Sequence, residues 1–452
     1  MNAEEKRAFN KELLTLAVPL GLQVLLTALV GASDALMLGR LNQESVAAVS
    51  LANQISFVMS LFVSSVVGSV GVLVAQYLGK KDEQNAKRFM SMALRYSFLI
   101  SLVFTLAALL APEKLMALYT PEQELIDIGA GYLRIVSVSY LLSGISQCYL
   151  MVMKIDGRAR LSVWISALTV LVDMGLDFFL IYGYGAIPAL GANGSAYSTI
   201  AVEAVALIWC VWDGHRKGHL HPDMESMRYF SKTFEKDLWK IEAPMLASSL
   251  SWGLSITVHS MIMGRLGTDA TAASSVTAVT QQLIQCLAHG IASGSGIMLG
   301  KLLGQNEFDK AKAYGRRFWH VSVLCGLANM LLLAALGPVM LRFYVLEPQA
   351  KEYLTQMLIF SAFYMFAYAF NTVFTCGVLP AGGDAKYDAV SVFFATWCFA
   401  LPVSILGAFV FHWPVMAVYC VMCCDEIIKL PFLPLHYRKY TWVKNLTRET
   451  ID

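Results

Sequence analysis

The sequence predicts an all-α polytopic membrane protein, with twelve transmembrane helices in two six-helix bundles related by an internal repeat. Three observations predict it. Of 452 residues, 57% are hydrophobic and 15% charged, whereas a soluble domain carries about 25% charged residues. Mean hydropathy is +0.57, more apolar surface than one water-facing core can hide. Apolar stretches near 13–39, 46–78, 89–111, 125–153, 161–183, 195–212, 239–264, 270–303, 318–341, 350–379, 387–411 and 413–436 approach or exceed the roughly 20 residues a helix needs to cross the hydrocarbon. Finally, the chain repeats itself at an offset of 225 residues.

The first run follows Met1-Asn2-Ala3-Glu4-Glu5-Lys6-Arg7. It is too long for a signal-peptide core and lacks a small-residue cleavage site, so it reads as a retained first helix. The runs at 46–78 and 270–303 exceed a simple crossing and must tilt, bend or project from the membrane. Gly68, Gly71, Gly290, Gly294 and Gly296 offer bending points. The spacings Gly290-x-x-x-Gly294 and Gly296-x-x-x-Gly300 also suit close helix packing. The most polar stretch, 213–238, is read as a cytoplasmic linker. It separates an N-lobe (1–212, helices 1–6) from a C-lobe (239–452, helices 7–12 and a short cytoplasmic tail). Lys and Arg crowd both termini, the linker and the loops after even-numbered helices. The opposite loops hold only Arg40, Lys114, Arg265, Arg342 and Lys351. The positive-inside rule then places both termini in the cytoplasm, which an even number of crossings requires.

The repeat is gapless. Residues 36–50 match 261–275, so Gly39-Arg40-Leu41 falls on Gly264-Arg265-Leu266. Further along, Gly71 falls on Gly296 and Leu78-Gly79 on Leu303-Gly304; upstream, Pro19 falls on Pro244. Six helices separate the copies, so both have the same topology and their axis runs along the membrane normal. Two facing bundles of this kind enclose a central cleft, as in a transporter.

Ionisable groups deep in membrane helices are costly and mark ion or substrate paths. The N-lobe offers Asp34, Asp173, Asp177 and Glu203; the C-lobe offers His259 and His289, with Asp425, Glu426 and Lys429 nearer the cytoplasmic end of the last helix. Asp173 and Asp177 lie four apart and share a helical face. Two carboxylates that close in low dielectric cannot both ionise cheaply, so the pair holds a proton or a cation. His259 occupies the repeat position of Asp34 and is a possible additional proton site, with Glu203 another. The nine cysteines all lie in apolar runs and imply neither disulfides nor a metal shell. No nucleotide loop, catalytic constellation or metal-ligand spacing is present, so an enzyme, a resident cofactor and a nucleic-acid partner are not expected. The energy source is expected to be an ion gradient.

These residues resemble the multidrug and toxic compound extrusion (MATE) transporters over nearly the whole chain. The resemblance rests on the order and spacing of Pro19, "SDALMLGRL" (33–41), "GKKDEQNAKR" (79–88) and its echo at 304–313, "LVDMGLDFFLI" (171–181), "GANGSAYST" (191–199) and "GVLPAGGDAK" (377–386). It implies a V-shaped pair of bundles and export of amphiphilic, usually cationic compounds in exchange for H⁺ or Na⁺. Asp34 matches the family's acid in helix 1, Asp177 the Asp of the Asn-x-x-x-Asp pattern in helix 5, and Thr199 a residue of the cation site. Pro19 matches a proline linked to helix bending. Asp173 stands where the family usually has Asn, which leaves the coupling ion open. Residues 245–260 and 353–373 contain no Asp or Glu, so the chain looks closer to the DinF-type branch than to the NorM-type. The expectation is a monomeric antiporter of the bacterial inner membrane, with small amphiphilic substrates and lipids as its partners. Its substrate-contact residues are not legible. The alternative is a lipid-linked oligosaccharide flippase of the same superfamily, which would want basic groups in the cleft; Arg134 is the candidate.

Overall fold

The computed structural model describes residues 3–184, 188–216, 218–344 and 346–448, apart from the side chains of Ala32, Ala35 and Leu36. Lys217, one of the linker's basic residues, lies outside them. Each of the twelve apolar segments is helical. In the first half these are α1 (Ala3–Gly39), α2 (Gln43–Gly79), α3 (Glu83–Leu110), α4 (Gln123–Ile155), α5 (Ala159–Tyr182) and α6 (Ala192–Gly214). The second half has α7 (Lys232–Leu266), α8 (Thr268–Gly304), α9 (Phe308–Phe343) and α10 (Pro348–Val373), then α11 (Lys386–Phe409) and α12 in two pieces (Val415–Met422 and Cys424–Tyr437).

Local chemistry sets many of the boundaries. Asp82 caps α3 by accepting from the Asn85 backbone N–H at 3.1 Å, and α3 stops before Pro112, which disfavours helix at the preceding residue. Gly191 and Gly267, at φ +57 and +124, turn the chain into α6 and α8. A wide π turn, Phe393–Ala400, interrupts α11. It precedes Pro402, whose ring crowds the carbonyl four residues back and which has no N–H to give it.

Ten helices among the described residues are long and apolar enough to cross a membrane. The other two of the twelve depart for legible reasons. In α7, Ser248, Ser249, Ser251, Ser255, Ser260 and His259 dilute the hydropathy of a 35-residue helix. The last segment breaks at Cys423, and its second piece carries Asp425, Glu426 and Lys429.

The chain forms two compact units. One comprises the chain up to Leu22, Ala75–Lys81 and everything from Glu235 onward; the other comprises Gln23–Val74 and Asp82–Phe234. Packing therefore groups the chain differently from a division at the linker. The start of α1 and the end of α2 belong with the second half, and α1 changes units three residues after Pro19. The second-half unit is centred on Leu333, Leu354, Met357 and Met365, and the first-half unit on Val63, Leu133, Ile181 and Ala196. In the first-half unit the linker lies along α3. The Arg88 guanidinium sits 3.9 Å over the Tyr229 ring, that of Arg95 4.2 Å over Phe230, and Phe89 stacks on Phe234. At the linker's short helix, Asp223 accepts from the Ser226 hydroxyl and backbone N–H, which hold its carboxyl below the usual range.

The glycines of the sequence repeat meet inside the second-half unit. A Cβ at Gly79 would fall 2.2 Å from the Lys301 carbonyl oxygen, and one at Gly304 would fall 1.9 Å from that of Gln76. Residues 76 and 79 are the repeat partners of 301 and 304, so the contact is reciprocal, as two-fold-related surfaces require. Gly290 likewise admits the Ala17 carbonyl, and Gly300 admits Ala75. Gly304→Val should lower the thermal unfolding midpoint by an overpacking cost of about 1–3 kcal/mol or more. Gly175→Ala is the control. A Cβ there meets nothing within 4 Å, and Ala is the better helix former by about 1 kcal/mol.

Candidate cation site

Three acids from two helices converge in the first-half unit. Carboxylate oxygens of Asp34 (α1), Asp173 and Asp177 (α5) all lie within 4.8 Å of one another. The sequence places them so. Asp173 and Asp177 share one face of α5, and α1 runs beside that face, tied to it on both sides of the acids. Gln23 donates to the Ser166 hydroxyl at 2.9 Å, and the Tyr182 hydroxyl donates to the Met37 carbonyl at 2.7 Å. Between these ties, Asp34 faces the α5 pair.

The site is deep and short of donors. Asp173 and Asp177 are 4% and 1% exposed, and Asp34 is half-buried. Ser198 of α6 donates to Asp173 Oδ1 at 3.0 Å. Among the described residues, both oxygens of Asp177 and Oδ1 of Asp34 have no hydrogen-bond partner, and no Lys or Arg forms an ion pair with any of the three. Like charges about 5 Å apart repel by roughly 3 kcal/mol at an effective dielectric near 20. Three carboxylates met by one hydroxyl in this arrangement call for protons or a bound cation.

The other sequence candidates fall elsewhere. Thr199 donates to the Ser195 carbonyl within its own helix at 3.0 Å; its neighbour Ser198 is the residue that reaches an acid. Ser198 gets there because α6 lies close on α5: a Cβ at Gly194 would sit 2.5 Å from the Leu180 carbonyl oxygen. Glu203 is half-buried on α6 beside Ser143, outside the three-acid group. His259, in the second-half unit, is half-buried with no partner for Nε2. His289 Nε2 lies 3.0 Å from the Tyr368 hydroxyl. Pro19 sits within a continuous α1. Arg134, the basic group the sequence offered for the cleft, has a side chain 55% exposed and pairs with Glu113.

The second half holds a charge network of a different kind. Lys429 donates to Glu426 Oε1 at 2.7 Å, Asn371 to Glu426 Oε2 at 2.7 Å, Thr396 to Asp425 at 3.4 Å, and Ser248 to Asp388. Here each carboxylate has a donor, and an internal ammonium pairs with one of them, Glu426. Sequence reading missed Asp388, which lies at the very start of α11. It also missed Ser248 and Asn371, whose roles depend on which helices meet. The pattern Asp425-Glu426-x-x-Lys429 on one helix was the available signal.

A duplicated bundle of membrane-length helices, with unpartnered acids buried inside one half, defines a polytopic membrane protein of the transporter class. The MatE family model matches residues 19–179 and 244–406. The two matches begin at Pro19 and Pro244, in the register of the internal repeat. The chain belongs to the MATE (MatE) family of membrane transporters, whose members are not enzymes. Among its relatives, the uncharacterized transporter YisQ of Bacillus subtilis is 20% identical over 434 residues, 96% of this chain and 95% of that protein. The multidrug resistance protein PmpM of Pseudomonas aeruginosa is 25% identical over 414 residues, 88% of this chain and 84% of that protein. A variant of the MATE transporter VcmN from Vibrio cholerae shares the fold with a TM-score of 0.88 at 18% identity, over 97% of this chain and 98% of that one.

Proposed function

We propose that this chain exports amphiphilic, mainly cationic compounds across the bacterial inner membrane in exchange for H⁺ or Na⁺, by alternating access between its halves. The observation that carries the reading is the cluster of half-buried Asp34 and buried Asp173 and Asp177, without basic partners among the described residues. Such a site binds a cation and releases it only where water can replace the protein's oxygens. Transport follows when that binding energy differs between the two access states. Relatives named as multidrug resistance proteins, including PmpM and a NorM of Agrobacterium fabrum, support drug-like substrates. In the second half the acids have hydrogen-bond donors, and Lys429 pairs with Glu426. This favours coupling in the first half alone, as in the DinF-type branch, with Thr199 and Glu203 in supporting places and His259 not required. The flippase alternative loses its motive with Arg134 at the surface. The protein works as a monomer with both termini cytoplasmic and needs no cofactor beyond the coupling ion.

The test is dye export in everted vesicles with the proton and sodium gradients collapsed separately. Export should stop when one of them is removed. Export that survives loss of both, or that proceeds undiminished in Asp34→Asn and Asp177→Asn, would overturn the reading.

A further inference from the structure

We infer that the acid cluster takes up two positive charges per cycle, and that at least one of them is a proton. This rests on the coupling role proposed above and deepens it. The three carboxylates are met by one hydroxyl, that of Ser198. Among the described residues, the other titratable groups beside them are Tyr132 and Glu203, neither of which carries positive charge. One residual negative charge can rest on Asp173, where Ser198 donates. A second and a third cannot stand beside it in low dielectric without counter-charge. Geometry then limits how the two charges arrive. Oxygens up to 4.8 Å apart surround a single ion with oxygen contacts of about 2.4 Å, so there is room for one metal cation and not two. The occupants are therefore two protons, or one proton and one Na⁺. Asp177 is the natural receiver, since it is 1% exposed and both its oxygens lack a donor.

Infrared difference spectroscopy on the full chain in lipid nanodiscs tests this by counting protonated carboxyl C=O bands. The cluster's bands are those lost in the triple variant Asp34→Asn, Asp173→Asn, Asp177→Asn. In sodium-free acidic buffer the wild type should show two, and Asp173→Asn one. Added NaCl should remove at most one band from the wild type. A single cluster band in the wild type, or the same count in Asp173→Asn as in the wild type, overturns the two-charge inference. Removal of both bands by NaCl or MgCl₂ overturns the shared-proton geometry. A triple variant that keeps every band would instead sink the cation site itself. All three changes remove charge at nearly constant shape, which protects the fold.

A separate set of residues carries a second inference: we propose that the C-terminal tail is a latch on the basic ends of α2 and α8. It too rests on alternating access. Trp442 is fully buried, and Gly382 leaves room for its backbone, since a Cβ there would fall 1.5 Å from the Trp442 carbonyl oxygen. Beyond it the tail crosses the reciprocal contact between α2 and α8. Gln76 accepts from the Leu446 N–H at 2.6 Å and donates to the Ala381 carbonyl at 2.6 Å. Lys80 donates to the Arg448 carbonyl at 2.6 Å, and Asn445 to Asn306 at 2.7 Å. Arg448 forks onto Asp237 of α7 at 2.6 and 3.0 Å. One irregular strand of chain thus ties the end of α2 to α7 and to the turn after α8. In the alternating access proposed above, that end leaves its second-half neighbours when the cytoplasmic side opens, and the tail lets go with it.

Hydrogen exchange at amides 76–81 and 301–306 should rise at least tenfold in Arg448→Glu and return in the charge swap Asp237→Arg with Arg448→Asp. Unchanged exchange overturns the latch, whatever the transport activity. A fixed clasp is separated from a latch by joining Lys80→Cys to Arg448→Cys with a reducible bifunctional reagent, with wild type treated alike. A latch loses at least tenfold in dye export and recovers on reduction; full export with the cross-link in place overturns it.

Discussion

Asp177→Asn is expected to abolish ion-driven export and, at the same time, to raise the thermal unfolding midpoint. Both follow from one feature. Asp177 is buried, both its oxygens lack donors, and two further carboxylates stand within 4.8 Å. An amide of the same shape removes a charge that the fold does not compensate, and the native state gains what repulsion and desolvation had cost. Under the coupling role proposed above, the lost charge is also what makes cation binding differ between access states. Coupling between sites commonly amounts to about 1–3 kcal/mol, or roughly 5- to 150-fold, so export driven by the ion gradient should fall by at least tenfold. Gradient-driven dye efflux and thermal unfolding of the same purified variant check the two halves of the prediction. A variant that loses both export and stability would show that Asp177 is a structural residue.

Lys429→Met should do the opposite to stability. Lys429 and Glu426 are 7% and 10% exposed at their side chains and paired at 2.7 Å, with Asp425 and Asp388 nearby. Met fills nearly the same space but leaves buried carboxylates without their counter-charge. Breaking a buried pair from one side costs about 3–5 kcal/mol. Adding Glu426→Gln to Lys429→Met should recover most of that loss, because both partners are then neutral. Unfolding midpoints of the two variants and the wild type decide the matter: equal midpoints for the single and double variants would show that the Lys429 charge is not what holds the network. The two predictions together separate an acid cluster left open for an exchangeable cation from one closed by a tethered one.

Much of this was legible in the chain. The offset of 225 residues fixed the duplication, and its register reappears where Gly79 and Gly304 meet Lys301 and Gln76. The acids at 34, 173 and 177 were legible because a charge inside an apolar run has a price that evolution rarely leaves without use. Other features were not. Thr199 and Ser198 are adjacent and chemically alike, and only the approach of α6 at Gly194 decides which one reaches Asp173. Asp388 reads as a helix-start acid until Ser248 and Lys429 are seen against it. The tail after Trp442 has no periodicity to read, yet it is tied at Gln76, Lys80 and Asp237.

The sequence by itself determined the twelve apolar helical segments, the repeat that relates them, and where acids lie within those segments. Hydrophobic length, charge and self-similarity are properties of the linear chain, so these could be read without a fold. Only the tertiary structure decided that Asp34 closes on the α5 pair, that Lys429 pairs with Glu426 while Asp388 joins the same network, and that the start of α1 and the end of α2 pack with the other repeat. Each depends on which helix faces point at one another, and facing is set by side-chain packing between segments far apart in sequence.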